Sequence, residues 1–482
     1  MELAYRDLRD YIEKTKKMGE CRVVEGADWD LEIGTVSAWQ GETGKSPLLL
    51  FDNIKGYPAG YRVATNLFNT PKRIALALGL SKPVEGMDLV KAWRDRDSDS
   101  KMLPPVEVAT GPIKENVHTG KDVDVYEFPT PRWHELDGGR YIGTAHMVVT
   151  RDPDEGWVNF GAYRTQIQDK TTVTIHMNNS KHAGIMRRKY WAKGLSCPIA
   201  IVIGEEPMLW AASYTPLPWG VSEYDYAGFL KGSPIEVTRG VTTDLPIPAS
   251  AEIVLEGEMP PPEVDSRQEG PFGEWTGCYA GGKAPVPVMK IKSILHRNNP
   301  ILMGAPPSKF VSHYTLARDT HRAAAIWDEL DAKLPGIKGV WNVDDAGGMP
   351  IVIVSVHQLY AGHAMQVGLS VASGIVASHQ ISWIIIVDDD IDPSNISEVL
   401  WAMGQRCDPE IGIHVIPQGR TSRLKPSVSA AKKASGDLTQ GMAIIFACTP
   451  YTSIKDAAPR ITISDENLRK AKEKWGKLFE RA

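Results

Sequence analysis

Cysteine is scarce in this chain. The 482 residues hold five (Cys21, Cys197, Cys278, Cys407 and Cys448), odd in number, far apart and without a C-x-x-C pair. That excludes a disulfide framework and a thiolate zinc site, and it fits reduced thiols in a cytoplasmic setting. Long apolar runs are missing too: stretches such as Trp383–Val387 are far too short to span a bilayer. Residues 1–20 carry charges throughout, unlike a signal peptide. No charge of one sign dominates, since 54 Lys and Arg stand against 59 Asp and Glu for a net charge of −5. Neither a nucleic-acid nor a membrane surface is therefore expected. G-x-G-x-x-G, G-x-S-x-G and H-E-x-x-H are all absent. Gly41-Glu42-Thr43-Gly44-Lys45-Ser46 imitates a phosphate loop, but the leading glycine is replaced by Trp39 and Pro47 with three leucines follows, so a strand is expected where a helix is needed.

What remains is ordinary globular material, 42% hydrophobic and 23% charged, long enough for roughly two to three domains. Residues 3–18 read as an amphipathic helix. Strands are expected at 48–52 and 62–66, helices at 71–78 and 87–96, and a Pro- and Gly-punctuated linker or surface crossing from 97 to about 119. Residues 140–310 look like a barrel or sandwich of short strands. In one of them Val173, Ile175 and Met177 alternate with Thr172, Thr174 and His176, the period of a half-buried strand. Beyond about 310 helices and strands alternate, as in an α/β unit, and a last helix is capped by Ser464. Asp388, Asp389, Asp390 and Asp392 could suggest a cation site, but acids at the carboxyl end of a buried strand are expected to cap the helix that follows them.

Three segments carry candidate chemistry. In Glu269-Gly270-Pro271-Phe272-Gly273-Glu274 two carboxylates flank a turn that can bring them close together, so that their pKa values separate. A surface turn with solvated glutamates is the plain alternative. In Asn159-Phe160-Gly161-Ala162-Tyr163-Arg164 an amide oxygen and a guanidinium would share a site only if the strand were broken near Gly161. Lys181-His182 and Ser222-Glu223-Tyr224 add an imidazole and a carboxylate. With Asn159 these would suit Mn²⁺ or Mg²⁺, although spacing alone does not gather them.

These segments, with Tyr360-Ala361-Gly362-His363-Ala364, Val387-Asp388-Asp389-Asp390 and Leu400-Trp401-Ala402-Met403, follow one another as in the UbiD-like decarboxylases, and most of the chain resembles that family. The resemblance implies an α+β and α/β multidomain fold. An N-terminal α/β region (1–110) would precede a split β-barrel binding prenylated FMN (111–310) and a C-terminal α/β oligomerisation domain (311–482). It implies Arg164, Glu269 and Glu274 as the catalytic network, and Asn159, His182 and Glu223 as ligands of a divalent metal, Mn²⁺ or Mg²⁺, with K⁺ beside it. Asn159, Arg164, Lys181, His182 and Glu223 would contact the cofactor. The implied activity is reversible, non-oxidative decarboxylation of an aromatic, in some cases hydroxylated, or α,β-unsaturated acid. A flavin prenyltransferase would supply the cofactor to a homo-oligomer, dimer or hexamer. Two departures stand out. Lys181 occupies a place where the ferulic acid decarboxylase branch has Gln, and the late phosphate-binding Lys is missing, with Lys425, Lys432 or Lys433 as substitutes. The substrate wall is expected near residues 313–318 and Phe446. An FMN reductase on a split barrel and a non-enzymatic flavin- or metal-binding assembly protein are the rival readings.

Overall fold

The computed structural model describes residues 5–43, 46–97, 101–309, 315–343, 349–377, 380–456, 458, 461 and 463–479. Gly44 and Lys45 lie outside them, and so does the expected wall at His313. Continuous apolar runs became strands with the anticipated ends, Leu48–Asp52 and Ile351–Val356. The first helix, Leu8–Lys17, is capped by Asp7 and buries Leu8, Tyr11, Ile12 and Thr15, one face of a 3.6-residue period. Helices Pro71–Ala77, Met87–Asp97 and Thr315–Asp331 also form as expected.

Strands Cys21–Glu25, Leu48–Asp52 and Arg62–Thr65 make an N-terminal sheet, completed by Ile301–Met303 in parallel with Arg62–Thr65. The central sheet runs in the order Tyr141–Gly143, Thr165–Asp169, Thr172–Ile175, Ala284–His296, Ile253–Met259, Cys197–Ile203, His146–Arg151 and Val158–Gly161. Its last strand is joined to its second by residues 162–164 alone, so the two ends of the sheet lie one short loop apart. That is the closure of a split barrel. Both faces are covered: Ile199, Ile201 and Ile203 enter one core while Ala200 and Val202 enter the other. The C-terminal sheet, in the order Ile337–Asn342, Ile351–Val356, Trp383–Asp388, Thr439–Ala447 and Ile413–Arg420, has three parallel central strands packed with helices, which is α/β architecture.

Three expectations need correction. The stretch 97–119 is not a linker: Val106–Glu107 pairs with Glu236–Arg239, and Asn116–Thr119 joins the long barrel strand. Strands of two to four residues carry no readable period. Thr172–Ile175 is buried on both faces instead of one, because it lies inside the sheet between two partners and beneath covering structure. The aspartates do not cap the next helix; Asn395 does. Asp388 instead accepts from Gln358, Arg406 and the Thr449 amide, and Asp390 pairs with Arg406. All five cysteines are free. Among the described residues no helix is long and apolar enough to cross a membrane.

Candidate active site

The barrel closure creates the site. The strand carrying Asn159 ends at Gly161, and the next begins at Thr165. Arg164 therefore lies on a connection between two strands, where the sequence reading asked for a bulge within one. Its guanidinium grips Glu269 as a fork, Nε to Oε1 at 2.8 Å and Nη2 to Oε2 at 2.9 Å, while Nη1 donates to Glu274 Oε1. Both carboxylates are buried, which overturns the surface-turn alternative. The turn between them is fixed from outside. Gly270 has φ +90°, and its carbonyl oxygen lies 1.9 Å from where a Cβ on Gly138 would be, so only glycine fits at 138. Gly138 donates its amide to Pro271 O, and Asp137 accepts from the Gly273 amide.

The two acids differ in their donors more than in their exposure. Burial alone would raise Glu269, but hydrogen bonds and charge from His176 and Arg164 outweigh it and hold the carboxyl at about 2. Tyr141 adds an O–H donor at 3.0 Å. Glu274 has the Arg164 contact, and burial with the nearby Glu269 and Asp137 charges pushes its pKa up. Its side chain, 9% exposed, is no drier than that of Glu269 at 2%. The separation thus comes from partner number. Phe272 lies 5.3 Å from the guanidinium and packs on Tyr141, roofing the ion group with aromatic surface.

A second cluster lies at the other end of the 162–164 connection. Glu223, first residue of helix Glu223–Lys231, accepts from Asn159 Nδ2 at 2.6 Å and from the Phe160 amide at 2.9 Å. His182, first residue of helix His182–Ala192, brings Nδ1 to 4.0 Å from Glu223 Oε1, and Trp157 and Trp219 pack edge-on around its ring. Asn159 Oδ1 is buried with no hydrogen-bond partner, and burial raises Glu223 to about 7. An amide oxygen without a donor, an imidazole and a costly buried carboxylate could hold a divalent cation, which would relieve the burial of Glu223.

The structure thus brings together all three residues of each expected set. Lys181 caps the His182 helix. The residue is exposed, and lost solvation and the Arg420 guanidinium lower its pKa. Lys425 donates to Ser382 at 2.7 Å and Lys432 to Thr439, so both are committed within the C-terminal domain, whereas Lys433 reaches Ala280 O at 3.4 Å. Phe446 packs on His414 and lines a cavity of about 280 Å³ with Gln358, Arg406 and Cys448, none of them a site residue. Arg318 lies against Trp275, next in sequence to Glu274. Sequence reasoning missed Tyr141, His176 and Arg420. His176 ends an alternating strand pattern and was readable as a polar tip; Tyr141 and Arg420 gave no local signal.

Comparison with known proteins agrees with this fold. Three profiles of one family match in order: the N-terminal domain of 3-octaprenyl-4-hydroxybenzoate carboxy-lyase (UbiD) at residues 12–93, its Rift-related domain at 105–310 and its C-terminal domain at 315–448. A phenolic acid decarboxylase of Bacillus subtilis (strain 168) is 32% identical over 435 residues, 88% of this chain and 89% of the relative. The vanillic acid decarboxylase of Sedimentibacter hydroxybenzoicus in open form superposes with a TM-score of 0.87 at 28% identity, covering 99% of this chain and 100% of that one. An evolved dimeric form of the UbiD-class enzyme HmfF from Pelotomaculum thermopropionicum, in complex with prFMN, gives a TM-score of 0.80 at 25% identity, over 95% and 97% of the two chains.

Proposed function

The chain belongs to the UbiD family of carboxy-lyases, and from that premise we propose how its residues carry out reversible, non-oxidative decarboxylation of an aromatic or α,β-unsaturated acid with prenylated FMN. Loss of CO₂ from such an acid leaves a carbanion on an sp² carbon that no side chain delocalises; the prenylated flavin, when bound, supplies the electron sink. Asn159, His182 and Glu223 hold a divalent ion, Mn²⁺ or Mg²⁺, with K⁺ beside it, and through it the cofactor phosphate. Lys181, with Arg420 nearby, adds positive charge to the same phosphate in place of a late lysine.

Arg164 binds the substrate carboxylate through the N–H left on Nη1, and at the same time keeps Glu269 ionised. Glu269, deprotonated across the working pH range, fixes the guanidinium and repels a second negative charge. Glu274 delivers the proton that replaces CO₂, because its raised pKa lets it hold one nearer neutrality than an ordinary carboxylate does. In the carboxylation direction it takes the proton back. The observation that carries this reading is the pairing of one arginine with two buried acids of opposite pKa displacement.

The substrate class is a hydroxylated benzoate, in line with the phenolic and vanillic acid decarboxylases to which the chain is similar. A flavin prenyltransferase supplies the cofactor, the setting is cytoplasmic, and the protein works as a homo-oligomer, dimer or hexamer. Exposed Ile413 and Val415 on an edge strand and Trp475 and Leu478 on the last helix support self-association. The functional units are 1–110, 111–310 and 311–482. Co-expression with a prenyltransferase and anaerobic purification should yield bound prenylated FMN by mass, Mn²⁺ by metal analysis, and CO₂ release from phenolic acids. Glu274→Gln should keep the flavin and lose turnover by about 10²-fold or more; near-normal turnover would remove Glu274 from its role.

A further inference from the structure

We propose that the chain holds a second metal ion, a late divalent transition metal of the Zn²⁺ class, bound by His118, Glu127 and His296. The three residues come from strand Asn116–Thr119, the 3₁₀ turn Val125–Glu127 and the last residue of strand Ala284–His296, none of them an element of the Asn159 cluster. In the antiparallel pairing His118 stands opposite Ile294. His296, two residues on from Ile294, therefore shares a face with His118 and is its diagonal neighbour. Glu127 reaches between them, Oε1 at 3.3 Å from His118 Nδ1 and Oε2 at 3.9 Å from His296 Nε2. Each residue offers one donor atom within 4.8 Å of the others. Ligand bonds of about 2.0–2.1 Å separate donors by roughly 3–3.5 Å, so a small turn of the part-exposed His118 ring closes the set.

His296 is prepared for a ligand's role. It is 97% buried by its 3% exposure, and its Nδ1 hydrogen-bonds to the Arg297 carbonyl at 2.9 Å. That bond puts the proton on Nδ1 and leaves the Nε2 lone pair pointing at Glu127, the outer-shell arrangement that orients metal-binding histidines. Nε2 is buried without a hydrogen-bond partner, and so is Glu127 Oε1. The Nε2 lone pair and the Glu127 Oε2 it faces at 3.9 Å are both acceptors, and they repel unless a cation lies between them. Two imidazoles and one carboxylate favour Zn²⁺ over Mg²⁺. Part-exposed His118 leaves a side open for a water ligand. Such an ion ties the turn 125–127 and the strand 116–119 to the barrel.

The test uses the full-length protein, stripped with a chelator and titrated with Zn²⁺, Mn²⁺ or Mg²⁺ by calorimetry, with Co²⁺ absorbance as a geometric probe. One Zn²⁺-preferring site is expected that survives in Asn159→Ala and weakens at least about tenfold in His118→Ala and His296→Ala. Zn²⁺ should raise the Tm of the wild type and not that of His118→Ala. Because replacing buried His296 can unfold the chain, the His118 variant decides. Zn²⁺ binding equal to wild type in His118→Ala, or no Zn²⁺ site left in Asn159→Ala, would overturn the proposal.

Discussion

Two of the buried arginine–carboxylate groups among the described residues differ in how many arginines each acid meets. Near the first helix one carboxylate meets two arginines: Glu252 receives the Arg9 fork at 2.8 Å on both oxygens, Arg297 at 3.3 Å and the Ile301 amide at 3.1 Å. At the barrel closure one arginine meets two carboxylates, Glu269 and Glu274. The first group, in which Arg297 also pairs with Asp7 at 3.0 Å, gives both oxygens of Glu252 a donor and serves as a clamp between residues more than 240 positions apart. The second has more negative charge than its cation can neutralise, so one acid must stay easy to protonate. Burial raises the pKa of Glu252 as well as that of Glu274, so what sets the second group apart is the ionised Glu269 that shares its one arginine with Glu274.

Arg164→Met should break this contrast most severely. It leaves two buried carboxylates without a counter-charge, so turnover should vanish while stability falls by about 3–5 kcal/mol, read by activity assay and denaturant unfolding. Glu252→Gln should cost a similar about 3 kcal/mol of stability, yet kcat per folded molecule should stay at the wild-type value. Loss of turnover there would erase the distinction between clamp and site.

Acid titration sharpens the comparison within the pair. Glu269 is held at about 2, below the ordinary value near 4.3. Its pairing therefore adds stability that is complete above about pH 4.3, disappears as pH falls towards 2, and amounts to about 3 kcal/mol. Glu274 is displaced upward, so the folded state binds its proton more tightly than the unfolded chain, and stability falls as pH rises from about 4.3 through its folded value. Unfolding measured from about pH 3 to 7 should lose the first dependence in Glu269→Gln and the second in Glu274→Gln. The smallest effect is expected for Tyr141→Phe, which removes one hydrogen bond to a charged group, worth about 1.5–3 kcal/mol, and should shift the acid limb of the rate profile upward without abolishing turnover.

Legibility followed the length of the signal. Leu48–Asp52 and Ile351–Val356 were readable to the residue because an unbroken apolar run marks a strand buried on both faces. Asn116–Thr119 was not, since four residues of mixed polarity look like a loop until their partner strand is known. Glu269 and Glu274 announced themselves by flanking one turn. Arg164 and Asn159 needed the knowledge that their strand stops at Gly161, a fact of barrel closure and not of local preference. His118, Glu127 and His296 span 178 positions, and only the antiparallel register brings the histidines to one face.

The strand Ile301–Met303 has a consequence for synthesis. It lies parallel to Arg62–Thr65 and completes the N-terminal sheet, so Arg62–Thr65 stays an edge strand until residue 303 has left the ribosome. At about 5–20 residues per second, the 238 residues from the end of Arg62–Thr65 through Met303 take roughly 10–50 s to make. During that interval Arg62–Thr65 exposes unpaired backbone groups able to recruit another nascent chain. The N-terminal region is therefore early in sequence but late in assembly, and a chaperone acting on this protein would be needed most in the first half minute of its translation.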